Sequence, residues 1–245
     1  MIRVKIIKLL IDLFDHYFFN THFAKAYKKI FSSVNPEKMV IFDVGGHEGE
    51  FIGLFRKLFP DSQVHSFEPD AINFKKIFRK FGIVSGIYLN PFGIGEENTR
   101  KTFYRNILSS TSSFKEIDFN SKWTQVKSKT LGVKPTELVL SSSEVQIKPL
   151  DEYAKEHSID RIHILKIDAE GYELKCLNGC KNLLKNNLID SIQLEVHFDD
   201  MYKDHYTFQD LESFLGQYNY RLYLKKPHFL LKCHEVIFRK QSEEN

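Results

Sequence analysis

Four short segments of the chain carry residues able to do chemistry. VIFDVGGHEGEF, from Val40 to Phe51, puts Asp43 ahead of Gly45, Gly46 and Gly49. QVHSFE ends on Glu68, KIDAEGYE holds Asp168 and Glu170, and LEVHF holds Glu195 and His197 two residues apart. Glycines remove Cβ and permit positive φ, so backbone can approach a ligand closely, and the start of a following helix offers free N–H groups to an anion. The pattern is not G-x-G-x-x-G, and a carboxylate ahead of the glycines would repel a pyrophosphate. The expected ligand therefore has a cationic end, as S-adenosylmethionine does in its α-ammonium and sulfonium. Asp43 is expected to meet that ammonium, and Glu68 to accept both ribose hydroxyls, a task shared by NAD and S-adenosylmethionine sites.

The other two segments suggest acid–base work on a hydroxyl, because burial and neighbouring charges tune the pKa values of carboxylates and histidines. His197 is expected to be the base, since an unperturbed imidazole is largely neutral at pH 7. Asp168 or Glu170 would orient the hydroxyl and Glu195 the ring. Taken singly, His197 also suits a structural role, and the glycine turn with Glu68 suits an ordinary turn beside a solvated acid. The same acids and histidine suit a divalent metal chelating a diol, which stands as an alternative to metal-free chemistry.

These residues need strand ends to hold them. MVIFDV, QVHSFE, IHILKIDAEG and IDSIQLEVHF are apolar runs with little alternation, the mark of strands buried on both faces of a parallel sheet. Helical spacing follows in GEFIGLFRKLF, AINFKKIFRKF and YELKCLNGCKNLL. GIYLNPFGIG reads as a third strand with a Pro/Gly turn, RKTFYRN as an extra strand, and YRLYLK with HEVIFRK as a final hairpin. The pattern predicts an α/β fold: a doubly wound, mostly parallel sheet with right-handed crossovers and an antiparallel edge. Ligands of such sheets sit beyond the carboxyl ends of the strands, where all four segments converge. Residues 109–143 are Ser-, Lys- and Thr-rich with little periodicity and read as a substrate lid, linker or disordered insert.

The wider composition narrows the classes. With 245 residues the chain can form one large domain, and 35 Lys+Arg against 32 Asp+Glu leaves a formal charge of +3. No basic stripe with interleaved aromatics marks a nucleic-acid surface. Cys176, Cys180 and Cys233 are too few for a disulfide framework and fit a reducing, cytoplasmic setting, with Cys176 and Cys180 read as helix-packing residues rather than metal ligands. Residues 1–38 form a helical extension to a domain over 39–245. Its apolar stripe (Ile6, Ile7, Leu10, Leu13, Phe14, Phe18) beside lysines suits either packing on the domain or peripheral contact with the inner face of an anionic membrane. No oligomeric state follows from the sequence.

FDVGGHEGEF, SFEPDAINFKKI, ILKIDAEGYELKCLNG and IQLEVHF resemble the four signature segments of the FkbM family of S-adenosylmethionine-dependent methyltransferases, in matching order from Met39 to His197. The resemblance implies the seven-stranded class I methyltransferase fold and O-methylation of a sugar, glycolipid or natural-product hydroxyl. It implies cofactor roles for Asp43, Gly45, Gly46, Gly49 and Glu68, with Asn90, Phe92 and Gly93 flanking the adenine. Asp168, Glu170, Glu195 and His197 would lie near the reaction centre. His47 stands where the family commonly has asparagine. The alternatives are a metal-assisted O-methyltransferase and a non-catalytic binding module on the same scaffold.

Overall fold

The computed structural model describes residues 2–204, 206–228 and 233–241. In chain order the elements are α1 (Ile2–Phe18), a π-helical turn (Phe19–Phe23), α2 (Ala24–Ile30), β1 (Val40–Val44), α3 (Glu50–Leu58), β2 (Gln63–Phe67), α4 (Ala71–Phe81), β3 (Ile87–Asn90), β4 (Gly93–Ile94) and β5 (Thr99–Asn106). Then follow α5 (Lys122–Leu131), β6 (Val139–Lys148), α6 (Leu150–Glu156), β7 (Ile162–Ile167), α7 (Glu173–Asn178), α8 (Lys181–Lys185), β8 (Ile189–His197), α9 (Phe208–Gly216), β9 (Tyr220–His228) and β10 (Cys233–Lys240).

The seven-stranded sheet runs β3-β2-β1-β7-β8-β10-β9, with β10 antiparallel to both of its neighbours. This is the doubly wound sheet that the alternation of apolar runs and helices predicts; residues 229–232, between the last two strands, lie outside the described residues. Strand order reverses between β1 and β7, so the crevice for a ligand opens beyond Val44 and Ile167. Register aligns Asp43 with Ser66 on one side and Lys166 on the other, and pairs Glu195 with Glu235. Because side chains alternate along each strand, this collects the polar residues on one face.

That face carries the N-terminal segment. Phe18, Phe19, Phe23, Tyr27 and Phe31 pack with Phe55, Phe59, Ile41, Val64 and Ile164 in one buried cluster, and the Tyr27 hydroxyl donates to Gln193 Oε1 at 2.7 Å. Each fully buried aromatic contributes about 1.5–3 kcal/mol. The other face packs Phe42, Phe67, Leu165, Ile167, Leu194 and Val196 against the helices that follow β6 and β7. α1 turns Phe14 inward while leaving Ile6, Leu9, Leu10, Leu13 and Tyr17 exposed. No helix among the described residues is long and apolar enough to cross a membrane.

Two local readings need correction. GIYLNPFGIG is two strands: β3 stays in the main sheet, whereas β4 joins β5 and β6 in a second, three-stranded sheet. The 109–143 segment is not irregular, for it contains α5, capped by the Ser121 hydroxyl accepting from Thr124 N–H and ended by Gly132 at φ +74°. Its buried positions are Thr124, Ser128 and Leu131, and small polar residues on the packed face hide the helical period.

Candidate active site

At the switch point a cleft of about 360 Å³ is lined by Gly45, Gly46, His47, Glu68, Gly93, Asp168, Ala169 and Glu170, with Ser109, Ser110 and Ser112 from the insert. This is within the range of small-molecule sites. Gly45 has φ +84°, and a Cβ there would lie 1.9 Å from the Asp168 carbonyl oxygen. The glycine is what lets the two halves of the cleft close against each other. Gly49, also at φ +84°, starts α3 against the Phe81 ring and does not line the cleft.

Glu68 is held by backbone on both oxygens, Oε2 accepting from His47 N–H and Oε1 from Asp70 N–H, each at 2.7 Å. Burial pushes its pKa up to about 8 against these two hydrogen bonds. A carboxylate has about four lone-pair sites, so each oxygen keeps one for a ligand hydroxyl. An oriented acid with two acceptor sites free, beside a backbone turn bare of Cβ, fits the nucleoside end of S-adenosylmethionine. His47 links this turn to the insert, its Nε2 lying 2.9 Å from Ser109 Oγ.

Besides Gly49, three cofactor expectations differ from the geometry. Asp43 is wholly buried beneath the turn, 3.8 Å from Lys166 Nζ and accepting from Ser66 Oγ at 3.2 Å, so its carboxylate is not on the cleft wall. Strand register put a lysine beside it. Asn90 turns its amide to Ser66 O, Tyr88 O and Tyr153 Oη. Phe92 packs on Phe67 and Tyr153, leaving only Gly93 of that stretch at the cleft.

The loop after β7 makes the opposite wall. Glu173 Oε1 accepts from Ala169 N–H and Gly171 N–H, fixing the loop while Glu170 and Gly171 take positive φ values of 50° and 87°. Positive φ in a glutamate is sparsely populated strain of the kind concentrated at functional sites. Asp168 keeps about a quarter of its side chain exposed and lies 3.0 Å from Lys166 Nζ. Burial and the Glu195 carboxylate push its pKa up to about 7 against the pull of Lys166. Burial opposes the charge of Lys166 itself, but Asp168 and Asp43 outweigh it and hold its pKa above the usual lysine value.

His197 stands among carboxylates: Nε2 is 3.3 Å from Glu195 Oε2 and 3.4 Å from Glu170 Oε2, and Nδ1 is 3.5 Å from Asp199 Oδ2. Burial disfavours its charge, yet Glu170 and Glu195 prevail and raise its pKa well above the ordinary histidine value. With carboxylates facing both ring nitrogens, the surroundings favour the charged ring over the neutral base that the sequence leads one to expect. Burial raises Glu195 as well, but His197 and a hydrogen bond from Cys233 Sγ hold it below the usual carboxylate range. Glu170 is raised by burial, and its Oε2 accepts from Tyr202 Oη at 3.1 Å.

His197 lines a second cleft, of about 710 Å³, with Trp123, Phe198, Asp199, Tyr206 and Phe208. The Glu170–His197 pair thus joins the two clefts. The insert supplies Lys122, Trp123 and Val126 to the second, and burial lowers the pKa of Lys127 against Glu170, Asp199 and Glu195. Sequence reasoning missed Lys166, Lys127, Asp199 and Glu235. Lys166 had a visible signal, a lone charge inside the apolar run IHILKI; Lys127 had none, because nothing local distinguishes it from other lysines of the insert. Cys176 and Cys180 donate to the carbonyls of Ile94 and Leu177, as packing residues do.

The sequence model described as the Methyltransferase FkbM domain matches residues 43–222. Methyltransferase 1 of Beauveria bassiana (strain ARSEF 2860) is 29% identical over 168 residues, 66% of this chain and 66% of that protein. 2-O-methyltransferase NoeI of Sinorhizobium fredii (strain NBRC 101917 / NGR234) is 24% identical over 164 residues, 67% of this chain and 66% of that one. The chain thus spans just under two thirds of the length of these curated relatives. Among solved structures, magnesium protoporphyrin IX methyltransferase (ChlM) from Synechocystis PCC 6803 with bound SAM superposes with a TM-score of 0.48 at 7% identity, covering 89% of this chain and 77% of that one.

Proposed function

The chain belongs to the FkbM family of methyltransferases, and from that premise we propose that it transfers a methyl group from S-adenosylmethionine to a hydroxyl of a small-molecule acceptor, a sugar or sugar-bearing compound above all. The observation that carries this reading is the junction of the two clefts at Asp168, Glu170 and His197. One cleft has the bare turn and oriented acid that suit a nucleoside. The other has the aromatic faces of Trp123, Phe198, Tyr206 and Phe208 beside Asp199, which suits the apolar faces and hydroxyl edges of a sugar. The printed name of NoeI, a 2-O-methyltransferase, supports an oxygen acceptor.

S-adenosylmethionine, when bound, supplies an already activated methyl group, so the protein's work is positioning the acceptor oxygen and removing its proton. Gly45 and Gly46 present backbone, and Glu68 receives the ribose hydroxyls. Asp168, the acid with a quarter of its side chain open to the first cleft, receives the acceptor's proton in place of His197. Glu170 orients the hydroxyl, and the His197 ring between them keeps Glu170 and Glu195 in place. In this reading residues 109–143 form the acceptor side of a methyltransferase domain over 39–245, to which 1–38 is a packed extension.

The test is transfer of labelled methyl from S-adenosylmethionine to a panel of glycans and glycosylated small molecules, with product release of the label by glycosidase. Label retained on protein alone, or no transfer by protein that binds S-adenosylhomocysteine, would favour a binding module.

A further inference from the structure

The geometry points to a divalent-cation site formed by Glu170, Glu195 and His197, at the place where the two clefts meet. Glu170, Glu195 and His197 each offer a ligand atom within 4.8 Å of the others, and among the described residues this is the group of acids, histidines and cysteines with ligand atoms so gathered. The separations from Nε2, 3.3 and 3.4 Å, are too long for good hydrogen bonds, and Nε2 is shut off from solvent with no hydrogen-bond partner. They match the spacing of two donors on one ion. Atoms about 2.1 Å from a common cation lie about 3.0 Å apart at right angles and about 3.4 Å apart at the tetrahedral angle.

The surroundings of each ligand support the same assignment. A ring nitrogen carries at most one proton and at these separations makes a good hydrogen bond to neither carboxylate, whereas a shared cation would serve the facing oxygens of Glu170 and Glu195 together. The other ring nitrogen, Nδ1, faces Asp199 Oδ2, the carboxylate behind the imidazole that fixes ring orientation in metal sites. Tyr202 Oη bonds to Glu170 Oε2, and Cys233 Sγ bonds to Glu195 Oε1, so Glu195 turns Oε2 toward the site. Asp168 and Asp199 add negative charge nearby; Lys127 and Lys166 are the cations that face it from α5 and β7.

One imidazole and two carboxylates on one side of an ion leave its other positions open, and here they open toward both clefts, since Glu170 lines the first and His197 the second. The imidazole suits Zn²⁺ and the two carboxylates suit Mn²⁺, so these two ions are the probes. Cation binding itself does not rest on the methyl-transfer reading; only a role in holding an acceptor diol does, so the test reads binding.

Tag-free full-length protein, stripped with chelator and dialysed, is titrated with Mn²⁺ and followed by electron paramagnetic resonance, with Zn²⁺ competition by calorimetry. One tight equivalent per chain is expected, at least tenfold weakened in Glu195→Gln and His197→Asn proteins that still bind S-adenosylhomocysteine. Spin-echo modulation of the wild-type complex should show one imidazole nitrogen coupled to Mn²⁺, a readout that needs no variant to fold. No binding at millimolar Mn²⁺ or Zn²⁺ to protein competent for S-adenosylhomocysteine, a signal without nitrogen coupling, or unchanged affinity in folded variants overturns the site. Failure of methyl transfer with the metal bound would count against the proposed function and leave the cation site standing.

Discussion

The two walls of the first cleft are built on opposite terms. On the glycine side, backbone does the shaping: Gly45 at φ +84° lets β1 approach Asp168, and the two oxygens of Glu68 are fixed by N–H groups of His47 and Asp70, the latter just two residues on. On the acidic side, side-chain charge does it. Asp168, Glu170, Glu195 and His197 take their protonation from Lys166, Asp199 and Cys233, which come from several strands and loops. A backbone-built wall keeps its chemistry wherever its local sequence is kept. A charge-built wall changes chemistry when any distant neighbour changes.

The sharpest test of that contrast is Asp168→Asn. It should lower the single-turnover transfer rate by about 10²–10⁴ while leaving S-adenosylhomocysteine affinity nearly intact. Equal loss of rate and affinity would mean that the walls are not separable. Gly45→Ala is expected to damage both at once, since its Cβ meets the Asp168 carbonyl and positive φ strains an alanine. A stability loss of about 2–5 kcal/mol in urea unfolding, together with loss of cofactor binding, is the expected outcome.

On the glycine side alone, Glu68→Ala should weaken S-adenosylhomocysteine by about 1.5–3 kcal/mol in calorimetry above pH 8, where Glu68 is ionised and its hydrogen bonds to both ribose hydroxyls are charge-assisted. Unchanged affinity would remove Glu68 from the cofactor site. The smallest effect is one of pH. Burial raises Glu68 to about 8 in the folded protein, from about 4.5 when unfolded. The folded state therefore binds the proton more tightly, and this contribution to stability is fully present below pH 4.5 and lost as pH rises toward 8 and above. The melting temperature of the ligand-free protein should fall across that window, with a shallower fall in Glu68→Gln. An identical pH slope in the variant would show that Glu68 does not carry its share.

Legibility in the sequence follows the same division. The order of strands, the antiparallel edge and the bare turn could be read because periodicity, Gly and Pro are local signals that translate directly into backbone. Glu68 could be read because a strand end fixes where it points. Asn90 and Phe92 could not, since which of four successive residues faces the cleft depends on β4 leaving the main sheet for the second one. α5 was hidden by a packed face of Thr124 and Ser128 that shows no apolar period.

What the sequence determined by itself is therefore the sheet, its switch point and the residues brought to the mouth of the cleft, because chain connectivity and side-chain alternation leave little choice about them. Only the tertiary structure decided what those residues are once there. Asp43 became a buried partner of Lys166 because the register of β1 and β7 aligns them. His197 came to stand among Glu170, Glu195 and Asp199, which favour its charged form, because the ends of two strands and the loops after them converge on it. Coulombic and desolvation energies depend on distance in space, and residues far apart along the chain set those distances.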